Sequence, residues 1–193
     1  MTNHYIPVKP SDKHTLIAIL GESGSGKTSL ANYLEDNYGW SVLKSYTTRD
    51  KRSDSKDDHT YVTQEEFDLI EDKVATNYYT GSNAWYCATK KQCDESDIYV
   101  VDIPGLEQLR KNYTNKHIFA IYLEVDKDTR VSRMKQRGDN LQSIQRRIVK
   151  DCQEFAMAKD VCDVTICNNS SLVLTAMQVD AVLKNFYEKL LND

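Results

Sequence analysis

The sequence lacks any apolar run long enough to cross a membrane. Its longest apolar runs are TLIAIL at 15–20 and IFAIYL at 118–123, whereas a membrane-spanning helix needs about 20 apolar residues. The amino-terminal segment is polar and shows no apolar signal segment. We therefore expect a cytoplasmic protein with no membrane partner.

Two further absences narrow the function. The five cysteines form no C-x-x-C pair and no spacing typical of a metal site, which argues against disulfides and zinc. The chain also has no excess of basic residues, because its net charge is -4 and its pI about 5.6. Proteins that bind nucleic acids usually carry a basic surface, so we expect no nucleic-acid partner.

Apolar runs alternate with helical patterns along most of the chain. With 40% hydrophobic and 28% charged residues, the composition is that of a globular domain. Strands are predicted at 15–20, 97–103, 117–125 and 164–167, and helices at about 105–112, 127–136, 141–159 and 171–191. This alternation predicts an α/β fold with a parallel sheet covered by helices on both faces.

The segment 45–93 breaks this rhythm, because it is polar and rich in Asp, Lys, Thr and Tyr. We predict short strands at 59–62 and 73–79 and a helix at 63–71, which a capping box of Thr63 and Glu66 begins. The sequence thus predicts a single domain whose core comprises 14–44 and 94–193, with 45–93 as an inserted lobe.

The stretch LGESGSGKTSL at 20–30 matches the G-x-x-x-x-G-K-[ST] motif. It follows a predicted strand and precedes a helix on which Leu30, Ala31 and Leu34 recur at helical spacing, which is the context that the motif requires. Such a loop holds nucleotide phosphates with backbone N–H groups, a lysine and a hydroxyl that ligates Mg²⁺. The alternative is a flexible Gly/Ser turn. The residues expected to bind ATP are Gly21, Ser23, Gly24, Ser25, Gly26, Lys27, Thr28 and Ser29, with Thr28 as the Mg²⁺ ligand.

A second motif, SYTTRDKR at 45–52, is expected to place Arg49 and Arg52 near the P-loop edge of the sheet. Their guanidinium groups are able to clamp a second phosphate group. From spacing alone, a solvated basic turn is an equal alternative.

Six pieces of the chain, in order, resemble the guanylate kinase family. They are the glycine-rich loop, SYTTRDKR, YVTQEEF at 61–67, VDI at 101–103, RMKQRG at 133–138 with SIQRRI at 143–148, and Cys167 with Asn168. The resemblance implies the P-loop NTPase fold, a three-layer αβα arrangement with a central parallel sheet, an inserted monophosphate-binding lobe and a short lid at about 134–147.

The resemblance also implies roles for individual residues. Arg49 and Arg52 fall on arginines that hold the acceptor monophosphate. Lys27, Arg137 and Arg147 are expected to be catalytic, the two arginines contacting ATP or both phosphates. Arg133 and Asn168 would lie near ATP, and the substrate would contact Ser45, Tyr86 and Asp102.

The chain departs from the family where guanine is read. Thr76 or Asn77, Ala88 and Pro104 stand at the positions of the guanine-binding residues, and none accepts two hydrogen bonds as a carboxylate does. His59 stands where the family has a phosphate-binding tyrosine, and it is either a phosphate contact or a bystander.

These features predict an ATP- and Mg²⁺-dependent kinase of nucleoside monophosphates, monomeric or homodimeric. GMP or dGMP is the family default, but the altered pocket favours another or a modified base. A kinase of a phosphorylated ribose needs no base reader and is one alternative. A non-catalytic binding module is another, which the intact loop and arginines disfavour.

Overall fold

The computed structural model describes residues 7–51, 59–80 and 82–192. The strands are β1 (Thr15–Leu20), β2 (Tyr46–Thr47), β3 (Thr60–Tyr61), β4 (Lys73–Tyr79), β5 (Ala84–Thr89), β6 (Ile98–Val100), β7 (His117–Glu124) and β8 (Val164–Cys167). The helices are α1 (Lys27–Tyr38), α2 (Gln64–Asp68), α3 (Lys90–Glu95), α4 (Ile103–Asn112), α5 (Lys127–Gln136), α6 (Leu141–Glu154), α7 (Ala158–Val161) and α8 (Leu172–Leu190). A short 3₁₀ helix, Pro10–Lys13, precedes β1. Within the described ranges, every helix is too short or too polar to span a membrane.

The main sheet is parallel, with the strand order β6-β1-β7-β8. Val42 adds an isolated parallel bridge to Ile98 at the β6 edge. Every residue of the central strand β1 is buried, as expected for a strand that helices cover on both faces. The predicted α/β fold is confirmed.

Alternation along β1 divides the core between the two faces of this sheet. Leu16, Ala18 and Leu20 pack with residues of α4 and with Ala158 of α7. Ile17 and Ile19 pack on the opposite side with apolar residues of α1 and α8. Successive side chains of a strand point to opposite faces, so a run of six apolar residues supplies both halves of the core.

A second, smaller sheet lies between α1 and β6 in the chain and has the order β3-β2-β5-β4. β2 pairs with β3 in parallel, whereas β5 pairs with β2 and β4 in antiparallel fashion. These strands fall within the predicted lobe, 45–93, whose exact limits stay a prediction.

Most predicted elements of the main sheet and its helices are confirmed to within about two residues, but two differ by more. The strand predicted at 97–103 ends at Val100. Asp102 instead caps α4, because its Oδ1 accepts a hydrogen bond of 2.8 Å from the Gly105 N–H. The helix predicted at 141–159 is divided, since α6 ends at Glu154 and α7 begins at Ala158.

In the lobe, the strand predicted at 73–79 and the capping box of Thr63 and Glu66 are confirmed. The strand predicted at 59–62 spans only Thr60–Tyr61, and the helix predicted at 63–71 ends at Asp68. The sequence reading missed β2, β5 and α3. The burial of β5 does not alternate, so it lacks the period of two that identifies a half-buried strand.

Gln108 of α4 joins the lobe sheet to the core. Its Oε1 accepts from the Thr76 N–H at 2.9 Å, and its Nε2 donates to the Thr76 carbonyl oxygen at 2.9 Å. The amide therefore completes the free edge of β4 in the way that a neighbouring strand would.

Replacing Gln108 with Ala should lower the free energy of unfolding by about 1–3 kcal/mol, because two backbone groups of Thr76 lose their partners. Urea denaturation followed by circular dichroism measures this change. Glu107→Ala, on the exposed face of the same helix, is the matched control and should leave stability within about 0.5 kcal/mol. Equal effects of the two substitutions would contradict the role given to Gln108.

Candidate active site at the meeting point of two cavities

The glycine-rich loop connects the carboxyl end of β1 to α1. Gly24 and Gly26 have φ angles of +80° and +93°, in the left-handed region that favours glycine. A Cβ on Gly24 would lie 2.7 Å from the Arg130 carbonyl oxygen, and a Cβ on Gly26 would lie 2.6 Å from Asn168 Nδ2. The loop therefore needs glycine at both positions for its backbone angles and for the close approach of neighbouring elements.

Lys27 is the first residue of α1 and points back along the loop. Its Nζ donates to the carbonyl oxygens of Gly21 and Glu22, at 2.5 and 3.2 Å. Burial lowers the pKa of Lys27 to about 8, although the negative charges of Asp151, Glu154 and Glu22 oppose this shift. An anion bound beside Lys27 would therefore stabilise the charged form of its ammonium group.

Two cavities meet at this loop, and both are lined by Ser23 and Lys27. The loop cavity, of about 510 Å³, lies along the start of α1 and also contacts α5 and α6. The lobe cavity, of about 250 Å³, lies between the loop, β4 of the lobe and the end of α6. Lys27 therefore lies between the two cavities. A group that contacts a phosphate during its transfer from one cavity to the other would have this position.

The two cavities differ in charge. The described lining of the loop cavity includes Lys27 and three arginines, and no carboxylate. The lobe cavity is lined by three carboxylates, those of Asp102, Asp151 and Glu154. Burial raises the pKa of Glu154, and the charge of Asp102 raises it further. The loop cavity thus suits a polyphosphate.

The structure brings most of the residues predicted for ATP to the loop cavity. They are Ser23, Gly24, Gly26, Lys27, Thr28, Ser29, Arg133, Arg137, Arg147 and Asn168. Gly21 instead lines the lobe cavity. The side chain of Ser25 is fully buried. Its backbone carbonyl oxygen accepts a hydrogen bond that fixes the loop.

Asn168 and Arg133 hold the loop from below. Asn168 Nδ2 donates to the Ser25 carbonyl oxygen at 2.7 Å, and Thr175 Oγ1 donates to Asn168 Oδ1 at 2.7 Å. Arg133 Nη2 donates to the Asn168 carbonyl oxygen at 2.8 Å, and its Nη1 reaches the carbonyl oxygens of Gly24 and Ser25 at 3.5 and 3.4 Å. These bonds give both residues a supporting role beside the ATP contact predicted for them.

Arg137 and Arg147 line the loop cavity from the two helices that flank residues 138–140. Arg137 follows the last residue of α5 and pairs with Asp139. The Arg147 guanidinium makes no hydrogen bond or ion pair to another residue that the structure describes. Their positions agree with contacts to a donor nucleotide, which stay predictions.

Several residues predicted for the substrate meet in the lobe cavity. Ser45 Oγ lies 2.9 Å from His59 Nδ1, and the His59 ring packs edge-on against the Tyr86 ring at 5.3 Å. Asn77 Nδ2 donates to Asp102 Oδ2. Those lining this cavity are Ser45, His59, Thr76, Asn77, Tyr86 and Asp102.

Other predicted substrate residues lie elsewhere. Arg49 lines neither cavity in the described chain, and its Nη2 donates to Tyr61 Oη at 3.1 Å. Ala88 is fully buried in the core, and Pro104 is exposed in the first turn of α4. Neither residue lines the loop cavity or the lobe cavity. Arg52 lies outside the described residues.

A buried ionic cluster beneath the loop escaped the sequence reading. Arg130 of α5 lies 2.9 Å from Glu22 Oε1 and 3.6 Å from Asp151 Oδ2, and its side chain is only 7% exposed. Glu22 Oε2 also accepts from Tyr122 Oη at 3.0 Å. Asp151 accepts from the Ser23 N–H at 2.7 Å and from its hydroxyl at 3.3 Å.

One signal for this cluster was available in the sequence. Arg147, Asp151 and Glu154 recur at spacings of four and three, which places them on one face of a helix. Nothing in the sequence, however, brings Arg130 and Glu22 to that face.

Replacing Arg130 with Met should destabilise the fold by about 3–5 kcal/mol, because Glu22 and Asp151 would keep buried charges without their cation. Arg146→Met, on the exposed side of α6, is the matched control, with an expected change of about 0.5 kcal/mol or less. Thermal and urea unfolding at pH 7 compare the two variants. A loss below 1 kcal/mol for Arg130→Met would contradict the structural role of the cluster.

Comparison with known proteins agrees with this geometry. The chain is 26% identical to a dephospho-CoA kinase of Mycoplasma genitalium, over 90% of this chain and 94% of that protein. It is 27% identical to guanylate kinases of Helicobacter pylori, over 72% of this chain and 73% of those proteins. The crystal structure of guanylate kinase from Anaplasma phagocytophilum superposes with a TM-score of 0.62, at 20% identity, covering 89% of this chain and 85% of that one.

A family model described as AAA domain matches residues 17–155, which is more than half of the chain. The matched region begins in β1, contains the glycine-rich loop and reaches the end of α6. The chain therefore belongs to the AAA domain family and has a P-loop kinase fold similar to that of guanylate kinase.

Proposed function

We propose that the protein transfers the terminal phosphoryl group of ATP to a nucleoside monophosphate and forms the diphosphate. The observation that carries the proposal is the meeting of the two cavities at Ser23 and Lys27. Donor and acceptor must lie on opposite sides of the moving phosphorus, in line with it. The loop cavity would hold the donor, and the lobe cavity would hold the acceptor.

The donor assignment rests on charge and backbone geometry. Phosphoryl transfer needs mainly alignment and positive charge on the oxygens of the moving group. Lys27, Arg137 and Arg147 supply that charge around the loop cavity, and the start of α1 adds backbone N–H groups. These three side chains are the proposed catalytic residues.

The residues present fit a Mg²⁺ ion that arrives with the nucleotide. Among the described residues, no group of three or more His, Cys, Asp or Glu side chains is arranged to hold a metal. Mg²⁺ in kinases is held mainly by phosphate oxygens and water, with few protein ligands. The Thr28 hydroxyl, which lines the loop cavity, would be such a ligand, and the ion would neutralise charge on the phosphates.

The acceptor assignment rests on the polar end of the lobe cavity. Ser45, His59 and Tyr86 are close together there, and hydroxyl and imidazole groups bind phosphate oxygens. We propose that the lobe, 45–93, and the lid, about 134–147, close over both substrates, which would bring Arg49 toward the acceptor phosphate, and that Arg52 binds the same phosphate. Closure would also exclude water and so prevent hydrolysis.

We further propose that the acceptor base is not guanine. Asn77 stands at the position of a guanine-binding residue of the family and lines the lobe cavity. Its side-chain amide already donates a hydrogen bond to Asp102. The Asp102 carboxylate is shared between Asn77 and the Gly105 N–H. The carboxylate acceptors that pair with guanine N1–H and its amino group are thus replaced or engaged.

A second candidate is transfer to a hydroxyl group, as the name of the dephospho-CoA kinase relative suggests. The Asp151 carboxylate, which lines the lobe cavity and contacts Ser23, favours it, because a carboxylate can accept the proton of a hydroxyl acceptor. A phosphorylated ribose is a further acceptor that needs no base contact.

A substrate panel with ATP and Mg²⁺ tests these proposals. The panel comprises ribo- and deoxynucleoside monophosphates, a phosphorylated ribose and dephospho-CoA, with ADP release measured by a coupled assay and the second product by anion-exchange chromatography. Turnover of a monophosphate other than GMP or dGMP is expected. Turnover of GMP or dGMP alone would contradict the altered-base proposal, and turnover of dephospho-CoA alone would favour the second candidate. Lys27→Met should lower any genuine rate by about 10²- to 10³-fold.

Proton uptake tests the role of Lys27 separately. Because its pKa is about 8 without ligand, it is partly neutral at pH 8.5, and a bound triphosphate should restore its charge. Binding of MgATP at pH 8.5 should therefore take up about three-quarters of a proton. The affinity should fall as the pH rises above 8. Isothermal titration calorimetry in two buffers of different ionisation enthalpy measures the uptake.

Lys27→Arg is the matched control for this experiment, because a guanidinium stays charged at pH 8.5. The variant should bind MgATP with no uptake at this position. Equal uptake by both proteins would show that another group titrates.

The expectations of a cytoplasmic protein that is a monomer or homodimer stay predictions.

A further inference from the structure

The carboxylate of Asp151 lines the lobe cavity and contacts Ser23, one of the residues at which the two cavities meet. It accepts a hydrogen bond from the Ser23 N–H at 2.7 Å and faces the Ser23 hydroxyl at 3.3 Å. Ser23 is one of only two residues that line both cavities in the described chain, the other being Lys27. An anionic group of the protein thus binds a loop N–H at the proposed site of transfer.

This contact imitates the one that a phosphate oxygen would make. Both are anionic oxygens that accept from a backbone N–H of the loop beside a lysine. The negative charge of Asp151 is also the largest of those that favour the charged form of Lys27. A phosphoryl group and the Asp151 carboxylate would therefore compete for the same donors.

Asp151 is held in this position from behind. Arg130 Nη1 lies 3.6 Å from its Oδ2, and the Asp151 side chain is only 9% exposed. Arg130 also pairs with Glu22 at 2.9 Å, so the guanidinium would keep a partner if Asp151 moved. The cluster allows Asp151 to leave the loop without stranding a buried cation.

Asp151 shares its helix face with a residue of the loop cavity. Arg147 lies one turn earlier on α6 and lines that cavity, and residues four apart on a helix are neighbours. A shift of α6 that withdraws Asp151 would therefore also move Arg147.

We infer that Asp151 is a positioning residue that occupies the place of the transferring phosphoryl group until a nucleotide binds. Donor binding then requires Asp151 to leave Ser23, and its departure moves α6 and the Arg147 guanidinium with it. The inference rests on the donor site of the main proposal, in which Asp151 has no role as a base, and it does not depend on which nucleoside monophosphate is the acceptor.

Inorganic pyrophosphate is the probe, because it tests the anion site without an acceptor or a reaction. Asp151→Ala should bind pyrophosphate about tenfold more tightly than the wild type, or about 1.4 kcal/mol. Asp151→Asn should fall between the two, because it loses the charge and keeps a hydrogen-bond acceptor. Calorimetric titration measures the affinities, with circular dichroism and melting curves to establish that each variant is folded.

Glu154→Ala is the matched control. Glu154 lies on the same helix face, lines the lobe cavity and also acts on the charge of Lys27, yet it makes no hydrogen bond to Ser23 within the described chain. Its removal should tighten binding by only about twofold, through a weaker and more distant charge effect. Equal gains for both alanine variants, or weaker binding by Asp151→Ala, would overturn the inference.

A measurement on the wild type does not depend on any variant folding. In protein labelled with ¹³C and ¹⁵N, the amide resonance of Ser23 should shift when pyrophosphate is added, and the side-chain carboxyl carbon of Asp151 should shift with it at the same concentrations. An unchanged Asp151 signal at saturating pyrophosphate would show that the carboxylate does not leave. Failure of the substrate panel alongside a tighter Asp151→Ala would count against the proposed reaction and not against this inference.

Discussion

Buried polar contacts from three separate elements hold the glycine-rich loop in place. Arg130 and Arg133 reach it from α5, Asp151 from α6, and Asn168 from the end of β8. A loop that binds phosphate must turn its N–H groups outward, which leaves its carbonyl oxygens needing donors inside the protein. Arg133 and Asn168 supply those donors, and the rest of the site depends on the resulting loop shape.

The same contacts couple the loop to the parts of the molecule that are expected to move. The proposed lid, about 134–147, comprises the end of α5, the connecting residues and the first half of α6, and its Arg137 and Arg147 line the loop cavity. Because α6 also carries Asp151 and Glu154, one helix face contacts the loop cavity, the loop and the lobe cavity in turn. Lys150, which directly precedes Asp151 on α6, lies over the Tyr79 ring at 3.9 Å and so links α6 to the lobe. A helix with these contacts is well placed to transmit a change caused by binding in one cavity to the other cavity.

The lobe cavity is where we propose that substrate choice has diverged, while the loop keeps its motif. Phosphate binding depends on backbone N–H groups and on positive charge, so it tolerates many changes around the loop. Base recognition depends on a few side chains with exact donor and acceptor patterns, and a single replacement alters it. Here Asn77 donates a hydrogen bond to Asp102, and both side chains line the lobe cavity in which we propose that the base binds.

Local patterns in the sequence were sufficient to predict the main sheet, the loop and its lysine. A buried parallel strand and a P-loop each have a pattern made of consecutive residues, which a single sequence shows directly. The run at 15–20 predicted β1, and Thr63 with Glu66 predicted the start of α2. The resemblance to a family brought Ser45, His59 and Tyr86 to one site, where the structure also places them. Only the tertiary structure decided that Ala88 is a core residue and that Asp102 caps a helix. It alone also joined Glu22, Arg130 and Asp151, since these residues are far apart in the chain and a single sequence does not encode long-range contacts as a local pattern.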